Sequence, residues 1–319
     1  MGVWRTGVTA EEERTIGELA DGRLNPPAAL SAIRSCRTLG PVERSPEEER
    51  ALRLTRVFAE LDSLIGLDEV KSELREVRAL LEVQRMRRRY ALRTESPSLH
   101  MVFSGSPGTG KTTVARIAGR LFREMGAIEK GHVVEVERAD LVGEYVGHTA
   151  QRTREQIKKA QGGVLFVDEA YSLARGGEKD FGKEAIDALV KAMEDKRDSF
   201  VLILAGYSDE MERFLRSNPG LRSRFPFIIE FKDYTTDELV AIADLMVSER
   251  EYILTQGARS HLRSLLSKDG VGHGNARSVR NIVERAFRIQ AVRLLEQRKQ
   301  PNRAELMLLK PDDVLGEVL

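Results

Sequence analysis

The chain has 319 residues, of which 41% are hydrophobic, so it is long enough for two compact domains and an extension. Its 51 lysines and arginines against 50 aspartates and glutamates leave a formal net charge of +1, which gives no global electrostatic reason to expect a nucleic-acid or membrane partner. The single cysteine, Cys36, excludes an internal disulfide, and no stretch approaches the roughly 20 apolar residues that span a bilayer. We therefore expect a soluble protein in a reducing compartment, with a cytoplasmic location as the default.

The first 60 residues read as short helical pieces. Glycine and proline interrupt them at "DGRLNPP" (21–27) and "LGPVERSPEEER" (39–50), so we expect an appended helical extension. Further on, the arginine cluster "RMRRRY" (85–90) ends a helix predicted to begin at Glu69. The balanced net charge favours an exposed helix face or a subunit contact for these arginines over binding to a phosphate backbone.

Five apolar runs recur from residue 62 onward, separated by helical patterns. They are "LHMVFSG" (99–105), "HVVEVE" (132–137), "GVLFVDEA" (163–170), "FVLILAGY" (200–207) and "FPFIIEF" (225–231). Buried strands that alternate with helices predict a five-stranded parallel sheet in an α/β domain. After the last run the pattern becomes helical, so we expect three regions: an N-terminal extension (1–61), a large α/β domain (62–232) and a small all-helical domain (233–319).

The segment "GSPGTGKT" (105–112) fits the P-loop pattern and lies between a predicted strand and a predicted helix. Its glycines let backbone N–H groups turn towards phosphate oxygens, while Lys111 reaches the β- and γ-phosphates and the Thr112 hydroxyl binds Mg²⁺. The alternative, a glycine-rich turn without a ligand, conflicts with this context. The expected nucleotide-binding residues are Gly105, Ser106, Pro107, Gly108, Thr109, Gly110, Lys111, Thr112 and Thr113.

Two carboxylates, Asp168 and Glu169, lie at the end of the third apolar run. Ligands of open α/β sheets bind at the carboxyl ends of the strands, so both side chains are expected near the phosphates. Asp168 fits a Mg²⁺ role, and Glu169 fits the base that orients and deprotonates the attacking water. An N-cap at a strand-to-helix turn is the alternative, which the upstream P-loop disfavours.

Phosphoryl transfer spreads negative charge over oxygens that arginines can meet. "NPGLRSRFPF" (218–227) presents Arg222 and Arg224 before the fifth strand, and "GHGNARSVRNIVERA" (272–286) presents Arg277 where a helix begins. Surface salt bridges are the alternative for each of these arginines.

The segment "LVGEYVGHTAQRT" (141–153) places the triplet Tyr145, Val146 and Gly147 just before a predicted helix. A turn whose Tyr145 and Val146 fold back onto the core would explain it without any function. A second loop, "ARGGEKDFGK" (174–183), carries Phe181 and is either a flexible connection or a second functional loop.

Together these segments resemble the AAA+ ATPases over residues 62–295. The resemblance implies that "LIGLDEVK" (64–71) is the adenine-side segment, with Ile65 and Gly66 near the base, and that the P-loop and "VLFVDEA" are the Walker A and Walker B motifs. It further implies that Arg224 is an arginine finger acting on the neighbouring subunit, with Arg222 as a second candidate, and that Arg277 is the sensor 2 arginine. The usual asparagine of sensor 1 is missing from "LAGYSD", which offers Tyr207 or Ser208 instead.

Within that family the chain resembles the branch that contains stage V sporulation protein K and the red-type Rubisco activases, and more closely the former. The resemblance implies ATP and Mg²⁺ as cofactors, a homo-oligomeric ring, expected to be a hexamer, and a protein client. The triplet at Tyr145 would face the central channel and grip that client, since an exposed aromatic can wedge against any peptide. A role in bacterial sporulation follows from the resemblance alone.

Three alternatives remain open. A Rubisco activase would use the same engine with another client. A DNA-acting motor would share the nucleotide site but should carry a basic channel, whereas Glu144 lies beside Tyr145. A scaffold that only binds nucleotide would have no need of Lys111, Asp168 and Glu169 together.

Overall fold

A computed structural model of the chain describes residues 10–28, 45–145, 147–175, 181–268, 272–296 and 300–314. The chain divides into two compact units, Met1–Ala51 and Leu52–Leu319. Helices α1 (Ala10–Ala20) and α2 (Pro46–Ser63) confirm that the N-terminal part is helical. None of the helices in the described ranges combines the length and apolar character needed to span a membrane.

The second unit is built around a sheet of five parallel strands in the order β2-β3-β4-β1-β5, as the apolar runs predict. Its elements follow in chain order: α3 (Asp68–Arg89), β1 (Met101–Gly105), α4 (Lys111–Met125), β2 (Val133–Val136), α5 (Arg138–Leu141), α6 (His148–Lys159), β3 (Val164–Val167), a 3₁₀ helix (Ala170–Ala174), α7 (Gly182–Asp195), β4 (Val201–Gly206), α8 (Ser208–Ser217), α9 (Pro219–Arg222) and β5 (Phe227–Phe231).

Helices cover both faces of this sheet, which explains why its central strands read as continuous apolar runs. In β4, Ile203 belongs to a core cluster that includes residues of α2, α3 and α4, while Leu202 and Leu204 belong to a second cluster with residues of α7 and α8. The alternation places successive side chains of a strand in opposite cores. The rigid sheet in turn fixes the loops at its carboxyl edge.

The C-terminal part is a lid with its own core. Its elements are α10 (Thr236–Ser248), β6 (Ile253–Leu254), α11 (Gln256–Leu266), α12 (Ala276–Glu296), α13 (Arg303–Met307), β7 (Leu308–Leu309) and a 3₁₀ helix (Pro311–Asp313). The lid is helical as expected, but it also contains the short parallel pair β6–β7, so it is not entirely helical. Two-residue strands leave no alternating pattern for a sequence to reveal. The buried Asp313 accepts two hydrogen bonds from Arg293, both 2.7 Å long, and holds the end of the lid against α12.

Candidate nucleotide site

A pocket of about 290 Å³ lies at the carboxyl edge of the sheet, between the large domain and the lid. Strands β3, β4 and β1 are neighbours in the sheet, so the segments that follow them meet at one place. The lining residues are Gly105, Pro107, Gly108, Gly110, Lys111, Thr112, Thr113, Asp168, Glu169, Gly206, Tyr207, Ala276, Arg277 and Arg280. Two motifs that are far apart in the sequence are therefore brought together.

The P-loop joins β1 to α4, and its shape depends on its own polar groups. The buried Thr109 hydroxyl donates a hydrogen bond of 2.8 Å to the Ser106 carbonyl, so these two residues shape the loop without lining the pocket. Gly110 ends the loop with a φ of 96° and directly precedes α4, whose first residues, Lys111 to Thr113, line the pocket. The loop and the helix end together form an anion-binding arrangement.

Lys111 projects from the first turn of α4 into this loop. Its Nζ donates hydrogen bonds to the carbonyls of Gly105 (2.9 Å) and Ser106 (2.8 Å). Burial lowers the pKa of Lys111, and Arg277 lowers it further, while Asp168 acts in the opposite direction. Lys111, Asp168 and Arg277 line the same pocket, so these three charges act on one site. A negatively charged phosphate oxygen is a stronger partner for the ammonium than either carbonyl.

Asp168 and Glu169 both line the pocket just beyond the end of β3. The Glu169 N–H donates a hydrogen bond of 2.9 Å to the Asp168 carboxylate, which fixes Asp168 at the strand end. Glu169 has a φ of 46°, a left-handed conformation that is costly for a residue with a side chain and that recurs at functional sites.

The residues expected to hold Mg²⁺ fit that ion. The Thr112 hydroxyl and the Asp168 carboxylate are hard oxygen donors that line the same pocket. No group of three or more acidic, histidine or cysteine side chains among the described residues forms a metal cage. Mg²⁺ usually binds through one or two protein oxygens, substrate phosphates and water, so a pair of donors suffices.

At the end of β4 the structure separates the two candidates for sensor 1. Tyr207 lines the pocket, whereas Ser208, the first residue of α8, does not. From the lid, the predicted Arg277 lines the pocket together with Arg280, which the sequence reasoning missed. Arg280 lies three residues after Arg277 on α12, and this i,i+3 spacing places both on one helix face. The spacing was the signal that could have revealed it.

Several predicted residues lie outside the pocket. Ile65 packs against the lid core, and a side chain at Gly66 would collide with Glu238 of α10, so the segment 64–71 borders the lid. Arg224 forms an ion pair with Glu194 of α7, and Arg222 is exposed at the end of α9. Neither arginine lines the pocket of its own chain.

The loop before α6 is exposed. Tyr145 has 66% of its surface accessible, and its ring meets that of His148 edge-on at 5.5 Å, so it does not fold back onto the core. Gly147 has a φ of 82° and caps the start of α6, while Val146 lies outside the described residues. In the second loop Phe181 precedes α7 and is partly buried, and residues 176–180 lie outside the described ranges.

The chain combines a parallel sheet that carries a P-loop with acidic residues at the end of β3. A helical lid closes the pocket with arginines. These features define a P-loop ATPase with a lid. The family model "ATPase family associated with various cellular activities (AAA)" matches residues 101–233, and the AAA lid domain model matches residues 235–317. The chain belongs to this AAA ATPase family, in which ATP binding and hydrolysis are implied and oligomers are typical.

Named relatives place it in one branch of the family. The chain is 52% identical over 266 residues to stage V sporulation protein K of Bacillus subtilis, covering 82% of each chain. It is 51% identical over 242 residues to protein CbbX of Cereibacter sphaeroides, covering 75% of this chain and 78% of that protein. It is 44% identical over 273 residues to the chloroplastic ribulose bisphosphate carboxylase/oxygenase activase of Cyanidioschyzon merolae, covering 84% and 93%. The predicted resemblance to this branch is confirmed.

A solved structure shows the same fold. The RuvB Holliday junction branch migration motor of Thermotoga maritima aligns with a TM-score of 0.53 at 23% identity, covering 80% of this chain and 69% of that one. Such distant similarity shows only that the two chains share the architecture of sheet and lid.

Proposed function

We propose that the protein is an ATP-hydrolysing ring motor, a hexamer in the cytoplasm, that remodels or threads a protein client during bacterial sporulation. The similarity to stage V sporulation protein K supports the role in sporulation, and the nucleotide pocket supports the hydrolysis of ATP. We further propose a helical extension (1–61), a large ATPase domain (62–232) and a small lid domain (233–319). The two family models, which end at 233 and begin at 235, support the last boundary.

In the proposed reaction the P-loop amides and Lys111 bind the phosphates of ATP, and Glu169 orients the attacking water and accepts its proton. Thr112 and Asp168 would hold Mg²⁺. Bound Mg²⁺ would neutralise charge that develops on the phosphate oxygens. Arg277, which lines the pocket from the lid, would stabilise the same charge.

Arg224 completes the site only from a neighbouring subunit. It lies outside the pocket of its own chain, and an arginine supplied by a neighbour is an established way to stabilise the transition state of phosphoryl transfer. Each protomer would therefore hydrolyse ATP only within an assembly. Tyr207 is our choice for the sensor 1 position because it lines the pocket and Ser208 does not.

The exposed Tyr145 is the observation that carries the remodelling function. An aromatic ring with 66% of its surface accessible gains nothing from the core, whereas it can wedge against a passing polypeptide. Gly147, with its left-handed φ of 82°, lets the loop turn immediately before α6. The expected contact is hydrophobic and tolerant of client sequence.

Crosslinking in sporulating cells tests this function. The variant Glu169→Gln should bind ATP and hold its client without turnover, so a photocrosslinker at position 145 should capture a protein partner in an ATP-dependent manner. The same crosslinker in a Lys111→Ala background, which lacks nucleotide binding, is the matched control. Equal capture in both backgrounds, or capture of DNA alone, would contradict the proposal.

Activation of ribulose bisphosphate carboxylase/oxygenase is the second candidate, because relatives bearing that name or the name CbbX are 44% and 51% identical to this chain. A sugar phosphate that stimulates ATP hydrolysis, together with reactivation of the inhibited carboxylase, would favour it. A DNA-acting motor receives no support from the charge balance, and stimulation of hydrolysis by DNA would be needed to revive that candidate.

A further inference from the structure

Three consecutive carbonyl groups of the P-loop are held from the lid side of the pocket. The Tyr234 hydroxyl donates a hydrogen bond of 3.2 Å to the Thr109 carbonyl. The N–H of Ala276, the first residue of α12, donates one of 3.2 Å to the Gly108 carbonyl. The side-chain nitrogen of Asn275 lies 3.4 Å from the Pro107 carbonyl. Two parts of the chain therefore hold the P-loop by hydrogen bonds. One is the segment between β5 and α10, and the other is the start of α12.

Peptide planarity gives these contacts a consequence for the phosphates. In a trans peptide the C=O and the N–H point in opposite directions. When the carbonyls of Pro107, Gly108 and Thr109 face the lid, the N–H groups of the residues that follow each of them face away from it. Those N–H groups are the ones that a P-loop offers to phosphate oxygens.

Asn275 is itself held firmly. It is 1% exposed, its Oδ1 accepts a hydrogen bond of 2.9 Å from the Tyr234 N–H, and its Nδ2 donates one of 2.9 Å to the Asp233 carboxylate. Its φ of 52° is left-handed, a conformation that asparagine tolerates better than most residues. One amide thus joins the segment after β5, the lid and the P-loop.

The Tyr234 hydroxyl acts as a hydrogen-bond donor to the P-loop. Burial raises its pKa to about 12, so the hydroxyl keeps its proton at neutral pH. On the other side of the contact, a Cβ at Gly108 would lie 2.3 Å from the Gly274 carbonyl and 3.0 Å from the Arg277 nitrogen. The lid backbone therefore packs directly against the P-loop backbone.

We propose that Tyr234 and Asn275 are positioning residues that orient the phosphate-binding amides of the P-loop and couple the position of the lid to phosphate binding. The inference rests on the proposed ATP site. It adds a structural connection between the lid and the bound phosphates that does not involve Arg277 or Arg280. A change in the lid would reorient the amides, and bound phosphates would in turn favour the lid position in which the carbonyls are held.

Tyr234→Phe is the decisive variant, since it removes one hydroxyl and keeps the ring. Loss of one hydrogen bond to the loop should weaken ATP and ADP binding by about 2- to 10-fold, and should reduce the nucleotide-induced rise in melting temperature. The melting temperature without nucleotide should stay close to that of the parent. Tyr252→Phe is the matched control, because Tyr252 packs against Phe287 in the lid and should leave nucleotide affinity unchanged.

Tripolyphosphate, which has no base, separates an effect on the phosphates from an effect on adenine. Competition binding should show the same relative loss for tripolyphosphate as for ATP in Tyr234→Phe. A loss confined to ATP, or a lower melting temperature with unchanged affinity, would overturn the inference. Asn275→Gly keeps the left-handed backbone and should weaken both ligands further, though it also leaves the Tyr234 N–H without its acceptor.

Lys111→Ala distinguishes failure of this inference from failure of the ATP site. If Lys111→Ala loses ATP binding and Tyr234→Phe binds like the parent, the nucleotide site stands and the positioning role is wrong. If Lys111→Ala binds ATP normally, the proposed site itself is wrong and so is the inference that depends on it.

Discussion

Arg224 forms an ion pair with Glu194 of α7 and also donates to the Gly220 carbonyl, within its own chain. The pair lies beside a different cavity, of about 670 Å³, whose walls include His100, and not in the nucleotide pocket. Arg224 therefore cannot reach the γ-phosphate of its own protomer without leaving this position. An arginine placed in this way is suited to a neighbour's site.

Mixing two inactive variants tests that arrangement. Arg224→Ala should bind ATP like the parent, because Arg224 is outside the pocket, yet should lose about 10³-fold or more of its hydrolysis rate. Glu169→Gln should also be inactive. In mixed assemblies the intact pocket of an Arg224→Ala subunit meets the intact Arg224 of a Glu169→Gln neighbour, so activity should return. If no mixing ratio restores hydrolysis, the arginine does not act between subunits.

The Walker residues should separate binding from turnover. Glu169→Gln is expected to keep ATP affinity and to lower the rate of hydrolysis by about 10²- to 10⁴-fold, because the water loses its base while the phosphate contacts survive. Lys111→Ala should instead weaken binding. Calorimetry with ATP and a phosphate-release assay on both variants check this. Near-parental hydrolysis by Glu169→Gln would assign the base to another residue.

The sequence predicted the five-stranded sheet and the place of the P-loop between a strand and a helix, because both leave strong local signals. The five apolar runs each became a strand, and the P-loop and the Asp168–Glu169 pair line one pocket. The place of Arg280 in the pocket and the hydrogen bond from Tyr234 to the P-loop were not predicted, since both depend on how the lid packs over the sheet. Long-range contacts of this kind leave no periodicity in the chain.

Gly108→Ala should damage nucleotide binding through backbone packing. Its Cβ would lie 2.3 Å from the Gly274 carbonyl, and its φ of 75° disfavours any side chain. The lid or the loop must shift, and ATP affinity should fall by about 10-fold or more. Gly22→Ala is the control, because Gly22 has a φ of 69° with nothing within 4 Å of an added Cβ. Unchanged ATP affinity in Gly108→Ala would show that the lid yields easily.

His100 should make the protein acid-sensitive. It is 2% exposed, its Nδ1 accepts a hydrogen bond of 3.0 Å from the Leu202 N–H, and burial lowers its pKa from 6.5 to about 4. Because the folded pKa is depressed, this contribution to stability is present above pH 6.5 and is lost as the pH falls towards 4. At pH 4 the loss is about 3 kcal/mol.

The acid sensitivity is measured as a difference between two proteins, since other groups also titrate in this range. His100→Asn places an amide oxygen near the Nδ1 position and removes the titrating ring. Denaturant unfolding between pH 7.5 and pH 4 should show a smaller loss of stability for His100→Asn than for the parent. Parallel curves would mean that His100 does not control the acid response.

Variants of Tyr145 test whether the loop before α6 binds the client or only stabilises the fold. With 66% of its surface accessible, the side chain contributes little to the core, so Tyr145→Ala should change the free energy of unfolding by less than about 0.5 kcal/mol. A core tyrosine would instead cost about 3 kcal/mol or more on truncation.

ATP binding and assembly should also persist in Tyr145→Ala, while client remodelling should be lost because the aromatic ring that contacts the client is missing. Tyr145→Phe keeps the ring and should retain much of the activity. Thermal melting, sizing and a remodelling assay on both variants give the answer. Tyr145→Ala that remodels its client as well as the parent would remove the loop from the mechanism.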